Sequence, residues 1–273
     1  VSLPQLTSAA FSPALNAAPT LETIYGRAFG TTRVYDAPSI ASKIGSRLWA
    51  NTVTPILDAA GDWYHVAEGY VLRRNMQPMI APLQPAETTF TPPFWAEVSG
   101  AIATVYRSCA VDFYPRLRVG HGGILRVIDW LPGDGMDWYG VTDSENGDLV
   151  GWTQASVWSL VNVETAAPSL TLVADKQSCQ LTVYDGACAL LTAPFSTTPY
   201  LAPGVYSISE RSVSRWAYSH RGAPWSLTFG DDLRLTGVYW HNQFGNRAPG
   251  VSLQVTPPLA RWLYPRAAEV IIS

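Results

Sequence analysis

Asp62-Trp63-Tyr64-His65-Val66, followed by Gly69-Tyr70-Val71, returns later in the chain as Asp137-Trp138-Tyr139-Gly140-Val141 with Gly151-Trp152. Each stretch is a short run of aromatic and β-branched residues closed by glycine, which marks a strand and its turn rather than a helix. The repeat extends outward. Arg33-Val34-Tyr35, Gly45 and Ile56 precede the first copy, and Thr104-Val105-Tyr106, Gly120 and Ile128 precede the second. The order predicts, twice over, a strand, a long loop, a strand, a Trp-Tyr strand, a turn and a Gly-aromatic pair. Trp63 and Trp138 are expected as core anchors.

Composition agrees with a folded, β-rich chain. Of 273 residues, 47% are hydrophobic and 14% charged, against roughly 25% charged in an average soluble domain. That excludes disorder, which needs the opposite balance. A net charge of −3 gives no basic footprint for nucleic acid. No apolar run approaches the ~20 residues of a membrane span. Lysine occurs only at 43 and 176, while Trp (11) and Tyr (13) are abundant. A surface so short of charge suits an extracellular protein, a carbohydrate binder or a subunit packed against others.

The chain begins at Val1 with neither a basic n-region nor an apolar h-region, which reads as a secreted chain after removal of its leader. Residues 1–22 carry Pro4, Pro13 and Pro19 and are expected as an extended arm, tied down by their own domain or by a neighbour. Residues 23–80 form the first β unit, 81–94 a stiff proline-rich linker, 95–164 the second unit and 165–273 a third. One or two short helices are expected, the clearest from Pro257 or Pro258 to about Tyr264 behind Thr256 as N-cap. Leu170–Gln177 and Gln180–Gly186 alternate as a hairpin. With Asp185-Gly186 as a hairpin turn, Cys188 would face Val183. A bridge to Cys179 is then too long, so Cys109, Cys179 and Cys188 are expected as free, mostly buried thiols.

The repeated Asp-Trp-Tyr pattern resembles bacterial SH3-like domains, over about 23–80 and 95–164. Such modules bind cell-wall peptides or act as spacers beside a wall-active domain. Further on, Tyr239-Trp240-His241-Asn242-Gln243-Phe244-Gly245 is followed by Thr256-Pro257-Pro258-Leu259-Ala260-Arg261-Trp262-Leu263. This stretch resembles the L,D-transpeptidase catalytic domain, which cross-links peptidoglycan. The fold implied is all-β: two SH3-like small barrels, then a β-rich L,D-transpeptidase-like domain.

Members of that family attack a donor stem peptide with the cysteine of Ser-His-Gly-Cys, because a thiol beside a base is appreciably ionised near neutrality. Here the matching positions are Pro249, Gly250, Val251 and Ser252, and the family's upstream His-Gly is Thr236-Gly237. No cysteine follows Cys188, so a thiol is missing under any alignment. Tyr239, Trp240, His241 and Asn242 are left as a candidate cleft, with His241 a scaffold residue beside it. Ser252 as a replacement nucleophile would need a base in reach.

Other constellations carry less. His65, His121, His220 and His241 lack metal-ligand spacing. Asp134/Asp137 and Asp231/Asp232 sit among turn residues and read as solvated loops rather than a glycosidase pair. Asp143–Asp148 has its glycine at the fifth position, not the sixth of a calcium loop, and reads as an Asn146-Gly147 hairpin turn. His121-Gly122-Gly123 lacks the strand-to-helix context of a phosphate loop.

The expectation is a secreted, catalytically inactive homologue at the cell surface, without metal or cofactor. It would act as a structural or binding subunit whose partner is peptidoglycan, another envelope component, or copies of itself. The alternative is an active peptidoglycan L,D-transpeptidase or a Ser252-dependent peptidase.

Overall fold

The first copy of the repeat folds into seven strands: β1 (Ile24–Ala28), β2 (Thr32–Tyr35), β3 (Ile44–Leu48), β4 (Val53–Ala60), β5 (Trp63–Val66), β6 (Gly69–Leu72) and β7 (Met76–Ile80). They form one antiparallel sheet ordered β3-β2-β6-β5-β4-β1-β7. The structure is a computed structural model describing residues 24–80, 91–111, 114–143, 147–198 and 201–273. The expected arm, most of the linker, and Asn146 of the expected hairpin turn lie outside the described residues.

The second copy gives β8 (Phe94–Val98), β9 (Ile102–Val105), β10 (Leu117–Gly120), β11 (Ile124–Leu131), β12 (Trp138–Thr142), β13 (Gly151–Gln154) and β14 (Trp158–Leu160). A β10-β9 pair is joined to the sheet β13-β12-β11-β8-β14 by a bridge between Tyr106 and Trp152. That bridge is the counterpart of Tyr35–Tyr70. Read through it, the strand order is the same as in the first copy.

The likeness reaches the irregularities. Register shifts fall between Ile56 and Asp58 in β4 and between Val127 and Asp129 in β11. In each bulge the aspartate accepts a hydrogen bond from the next residue's N–H, Ala59 at 2.7 Å and Trp130 at 2.8 Å. Ile56 therefore matches Val127 rather than Ile128. Nor are Gly45 and Gly120 equivalents, since Val34 faces Ser46 while Val105 faces Leu117. A Cβ on Gly69 would stand 2.5 Å from the Tyr35 carbonyl oxygen, and one on Gly151 would stand 2.2 Å from that of Tyr106. Glycine is what allows the bridge to close. Among the described residues β3, β7, β10 and β14 each pair on one side only, so neither ladder closes into a barrel.

The aromatic pair keeps its faces in both copies. Tyr64 and Tyr139 turn toward the core beside Val66 and Val141, and Trp63 and Trp138 lie on the other face, Trp138 edge-on to Tyr106 at 6.2 Å. What differs is exposure. The first copy buries Tyr64 and leaves Trp63 half-buried, edge-on to Tyr35 at 5.3 Å; the second buries Trp138 and leaves Tyr139 half-buried. Tyr64, not Trp63, anchors the first core, and Tyr139, not Trp138, packs against the second, because successive side chains of a strand point to opposite faces.

The third region comprises β15 (Leu170–Asp175), β16 (Gln180–Asp185), β17 (Cys188–Pro194), β18 (Ser196–Thr197), β19 (Gly204–Ala217), β20 (His220–Phe229), β21 (Leu233–Gly237), β22 (Leu253–Val255), α1 (Pro257–Leu263) and β23 (Ala267–Ile272). The strands run in the order β17-β16-β15-β23-β19-β20-β21-β22-β18, with β15-β23 and β21-β22 parallel. The helix sits where the prolines place it. Thr256 is the N-cap residue, although its hydroxyl makes no cap hydrogen bond. Pro257, Leu259, Ala260 and Leu263 are buried against β20 and β21.

The β16–β17 loop is centred on Gly186-Ala187, with Gly186 at φ 57, so Cys188 faces Asp185 rather than Val183. All three cysteines are free, but only Cys179 is buried; Cys109 is half-buried and Cys188 exposed. Among the described residues no helix is long and apolar enough to cross a membrane.

The cores interlock. Trp95 and Ile124 pack into the third core with Trp225 and Leu263, while Tyr239 and Trp240 pack into the second with Val119 and Leu125.

Candidate functional site

β21 and β22 lie side by side, Thr236 opposite Gln254 and Gly237 opposite Val255. The chain leaving β21 carries Tyr239–Asn242, and the chain entering β22 carries Pro249–Ser252. The candidate positions thus stand at one end of the sheet. Their side chains are arranged to hold the fold.

Thr236 is fully buried, and its hydroxyl is hydrogen-bonded to that of Ser226 at 2.9 Å. Gly237 lies against the Pro224 carbonyl and Ala260, where a Cβ would come within 3.1 Å of both. Gly250 has φ 137, and a Cβ there would meet the Gln254 amide at 3.0 Å. A histidine at 250 would be strained and crowded at once.

Gln254, fully buried, organises this corner. Its Nε2 lies 3.2, 3.4 and 3.3 Å from the carbonyl oxygens of Ala248, Pro249 and Val251. Its Oε1 lies 2.7 Å from His241 Nε2. The Gln243 N–H donates to His241 Nδ1 at 3.2 Å, so the ring is the neutral tautomer with its proton on Nε2, donating to Gln254. Both ring nitrogens are engaged. Burial holds His241 below the ordinary histidine pKa, against the bond to Gln254, which acts upward.

The Ser252 hydroxyl accepts the Arg234 N–H at 3.3 Å, and its carbonyl accepts the Thr197 hydroxyl at 2.8 Å. Among the described residues no histidine bonds to it. A serine without a base remains an alcohol with a pKa far above neutrality.

Tyr239–Asn242 face the other two units. Asn242 Nδ2 lies 3.2 Å from the Tyr64 hydroxyl and 3.1 and 3.0 Å from the carbonyl oxygens of Arg73 and Met76. Tyr239 is buried; its hydroxyl donates to the Arg221 carbonyl at 2.6 Å, and burial pushes that phenol well above its usual value. Trp240 stacks on His220 at 4.3 Å. Burial, and then the neighbouring His241, lowers the His220 pKa.

Three residues here carry no sequence signal. Arg27 is buried and donates to Gln77 Oε1 (3.0 and 2.7 Å), Asn51 Oδ1 (2.9 Å) and the Tyr239 carbonyl (3.0 Å). Gln77 in turn donates to the His121 carbonyl at 2.8 Å. Among the described residues no carboxylate pairs with Arg27, and burial lowers its guanidinium to about 10. His121 is also lowered by burial, and its Nδ1 lies 3.1 Å from the Gly100 carbonyl. Strand β1, strand β7, the β10–β11 turn and Tyr239 therefore meet at one guanidinium. Gln254 completes the set. Among the described residues no three of His, Cys, Asp and Glu gather where a metal ion would sit.

No protein-family model matches the chain, and no curated protein sequence does. Its structural neighbours include L,D-transpeptidases, together with a fused Zn-dependent amidase/peptidase/peptidoglycan-binding domain-containing protein and a putative autolysin. One L,D-transpeptidase, from Stackebrandtia nassauensis, is 14% identical over 41% of this chain and 58% of its own, with a TM-score of 0.35. Another, from Mycobacterium tuberculosis H37Rv, is 12% identical over 55% and 72%, at 0.35. A third, from Mycobacterium smegmatis, is 10% identical over 55% and 99%, also at 0.35. At these scores the overlaps are partial, and no chemistry follows from them.

Proposed function

We propose that this chain is a catalytically inactive relative of the L,D-transpeptidases, secreted to the cell surface and used there as a structural or binding subunit. Residues 23–80 and 95–164 serve as tandem SH3-like units, and 165–273 as the transpeptidase-like unit they pack against. Its partners are peptidoglycan, another envelope component, or further copies of the chain.

The observation that carries this reading is the Gln254 amide. It binds His241 Nε2 and three carbonyls of the loop over residues 248–251, at the place where the family's nucleophile and base would work. Thr236 bonded to Ser226, Gly250 at φ 137 and Ser252 bonded to a backbone N–H point the same way. Asn242 and Tyr239, on the rim of the same corner, are spent on joining the units. Scaffold has replaced chemistry.

The test is incubation of the protein with a stem tetrapeptide donor and an amine acceptor, following product by mass spectrometry. No cross-linked or hydrolysed product is expected. Turnover that disappears in Ser252→Ala would overturn the proposal in favour of a serine enzyme. Retention on purified sacculi, measured in parallel, separates a wall-binding subunit from one that binds only its own kind.

A further inference from the structure

The sheet of the third region ends in β17, which among the described residues pairs only with β16. Edge strands of soluble proteins are normally blunted by charge, by proline or by being short. The other ladder ends obey this. β3 carries Arg47, β10 carries Arg118, β7 has Pro78 at its centre, and β14 is three residues long. β17 is seven residues long, with its proline only at the last position and no charge. No Asp, Glu, Lys or Arg occurs anywhere from Gly186 to Ser209. Cys188, Ala189, Leu190 and Thr192 are exposed, Leu190 by 47%.

One other stretch of the chain is equally bare of charge: residues 1–21. Between Pro4 and Pro13 it contains Gln5-Leu6-Thr7-Ser8-Ala9-Ala10-Phe11-Ser12, eight residues without proline, glycine or charge. That length matches β17. Pairing the two would bury no ion. It would set Gln5, Thr7, Ala9 and Phe11 on one face and Leu6, Ser8, Ala10 and Ser12 on the other. The residues from Pro13 to Thr23's place in the chain, ending where β1 begins, leave a tether of about 36 Å at ~3.3 Å per residue.

We propose that residues 5–12 of one copy add as a strand to the free edge of β17 in the next copy. This deepens the structural-subunit reading and rests on it. The joint is head-to-tail: the donor surface differs from the acceptor surface, so each copy that receives a strand still has one to give. Such a contact propagates into a ring or an open filament rather than stopping at a dimer.

The test uses the full chain in three forms: unaltered, Phe11→Asp and Leu190→Lys. Both substitutions put a charge into the joint, and Leu190 is exposed on β17. Native mass spectrometry over a concentration series, with circular dichroism to verify folding, reads the outcome. The unaltered chain is expected to form concentration-dependent oligomers, and each variant alone to lose every species above the monomer. An equimolar mixture of the two variants should give dimers and stop there, because only one intact arm and one intact edge can meet. Variants that assemble like the unaltered chain would overturn the strand joint while leaving the structural reading in place. A mixture that stays monomeric, or an arm that binds its own β17 independently of concentration, would also overturn it. An unaltered chain that is monomeric throughout and not retained on sacculi would remove the structural reading itself.

Discussion

The Arg27 guanidinium donates a hydrogen bond to the main-chain carbonyl of Tyr239, 212 residues away, at 3.0 Å. The same side chain binds Gln77 and Asn51. A buried cation satisfied only by neutral oxygens is stabilised by geometry rather than by a counter-charge, since its fixed fork of N–H donors makes four hydrogen bonds to three fixed acceptors.

Arg27→Met should therefore be costly. It keeps most of the apolar stem and strips donors from Gln77 Oε1 and the Tyr239 carbonyl. The expected loss is about 2–4 kcal/mol, at ~1–3 kcal/mol for each buried group left unpaired. Arg27→Lys keeps the charge without the fork and should lose less. Denaturant midpoints check both.

Gln254→Glu separates the two jobs of that amide. The bond to His241 survives, while the carbonyls of Ala248, Pro249 and Val251 lose their donor. A loss of about 1–3 kcal/mol is expected, with faster amide exchange across residues 245–252. The carboxylate should also raise the His241 pKa, visible in its ring resonances, because an adjacent negative charge favours the imidazolium.

Stability should fall as the solution is acidified through the histidine range. His121, His220 and His241 are all lowered in the fold by burial. Between their folded values and the ordinary unfolded value of about 6.5, the unfolded chain binds more protons, so stability is full above that window and drains away as the pH falls through it. Glu97, raised by burial despite Arg261, works in the opposite sense from its ordinary carboxylate range upward. The three histidines predict a lower Tm at pH 5 than at pH 7.5, and His241→Gln should flatten the slope.

Gly151→Ala would drive a methyl group onto the Tyr106 carbonyl at 2.2 Å, which is backbone and cannot swing away. A loss of about 1–3 kcal/mol is expected. Gly30→Ala, which meets nothing within 4 Å, should stay within about 0.5 kcal/mol. Thermal melts of the pair distinguish crowding from the general cost of losing a glycine.

What the sequence revealed and what it hid divide along one physical line. Alternation in Leu170–Asp175, the paired Trp-Tyr runs and the prolines at 257 and 258 are local signals, and strands and helix stand where those residues point. The turn after Asp185 was displaced by one residue because Gly186, not Asp185, takes the positive φ. Ile128 was a false partner for Ile56 because a bulge inserts a residue that no period reveals. Thr236, Gly250 and Ser252 could be placed by motif, but the partner of each lies elsewhere in the chain. Arg27 and Gln254 looked like ordinary polar residues, since burial and long-range bonding leave no trace in spacing.

The Trp-Tyr strand turns the same ring to the core in both copies, Tyr64 in one and Tyr139 in the other, and that bears on how the chain can misfold. Tandem units with the same strand order are prone to exchanging elements while they fold. A Trp-Tyr strand that strayed into its sibling would present a tyrosine to the core in either place, so its pleat raises no barrier to exchange and discrimination falls to residues outside that strand.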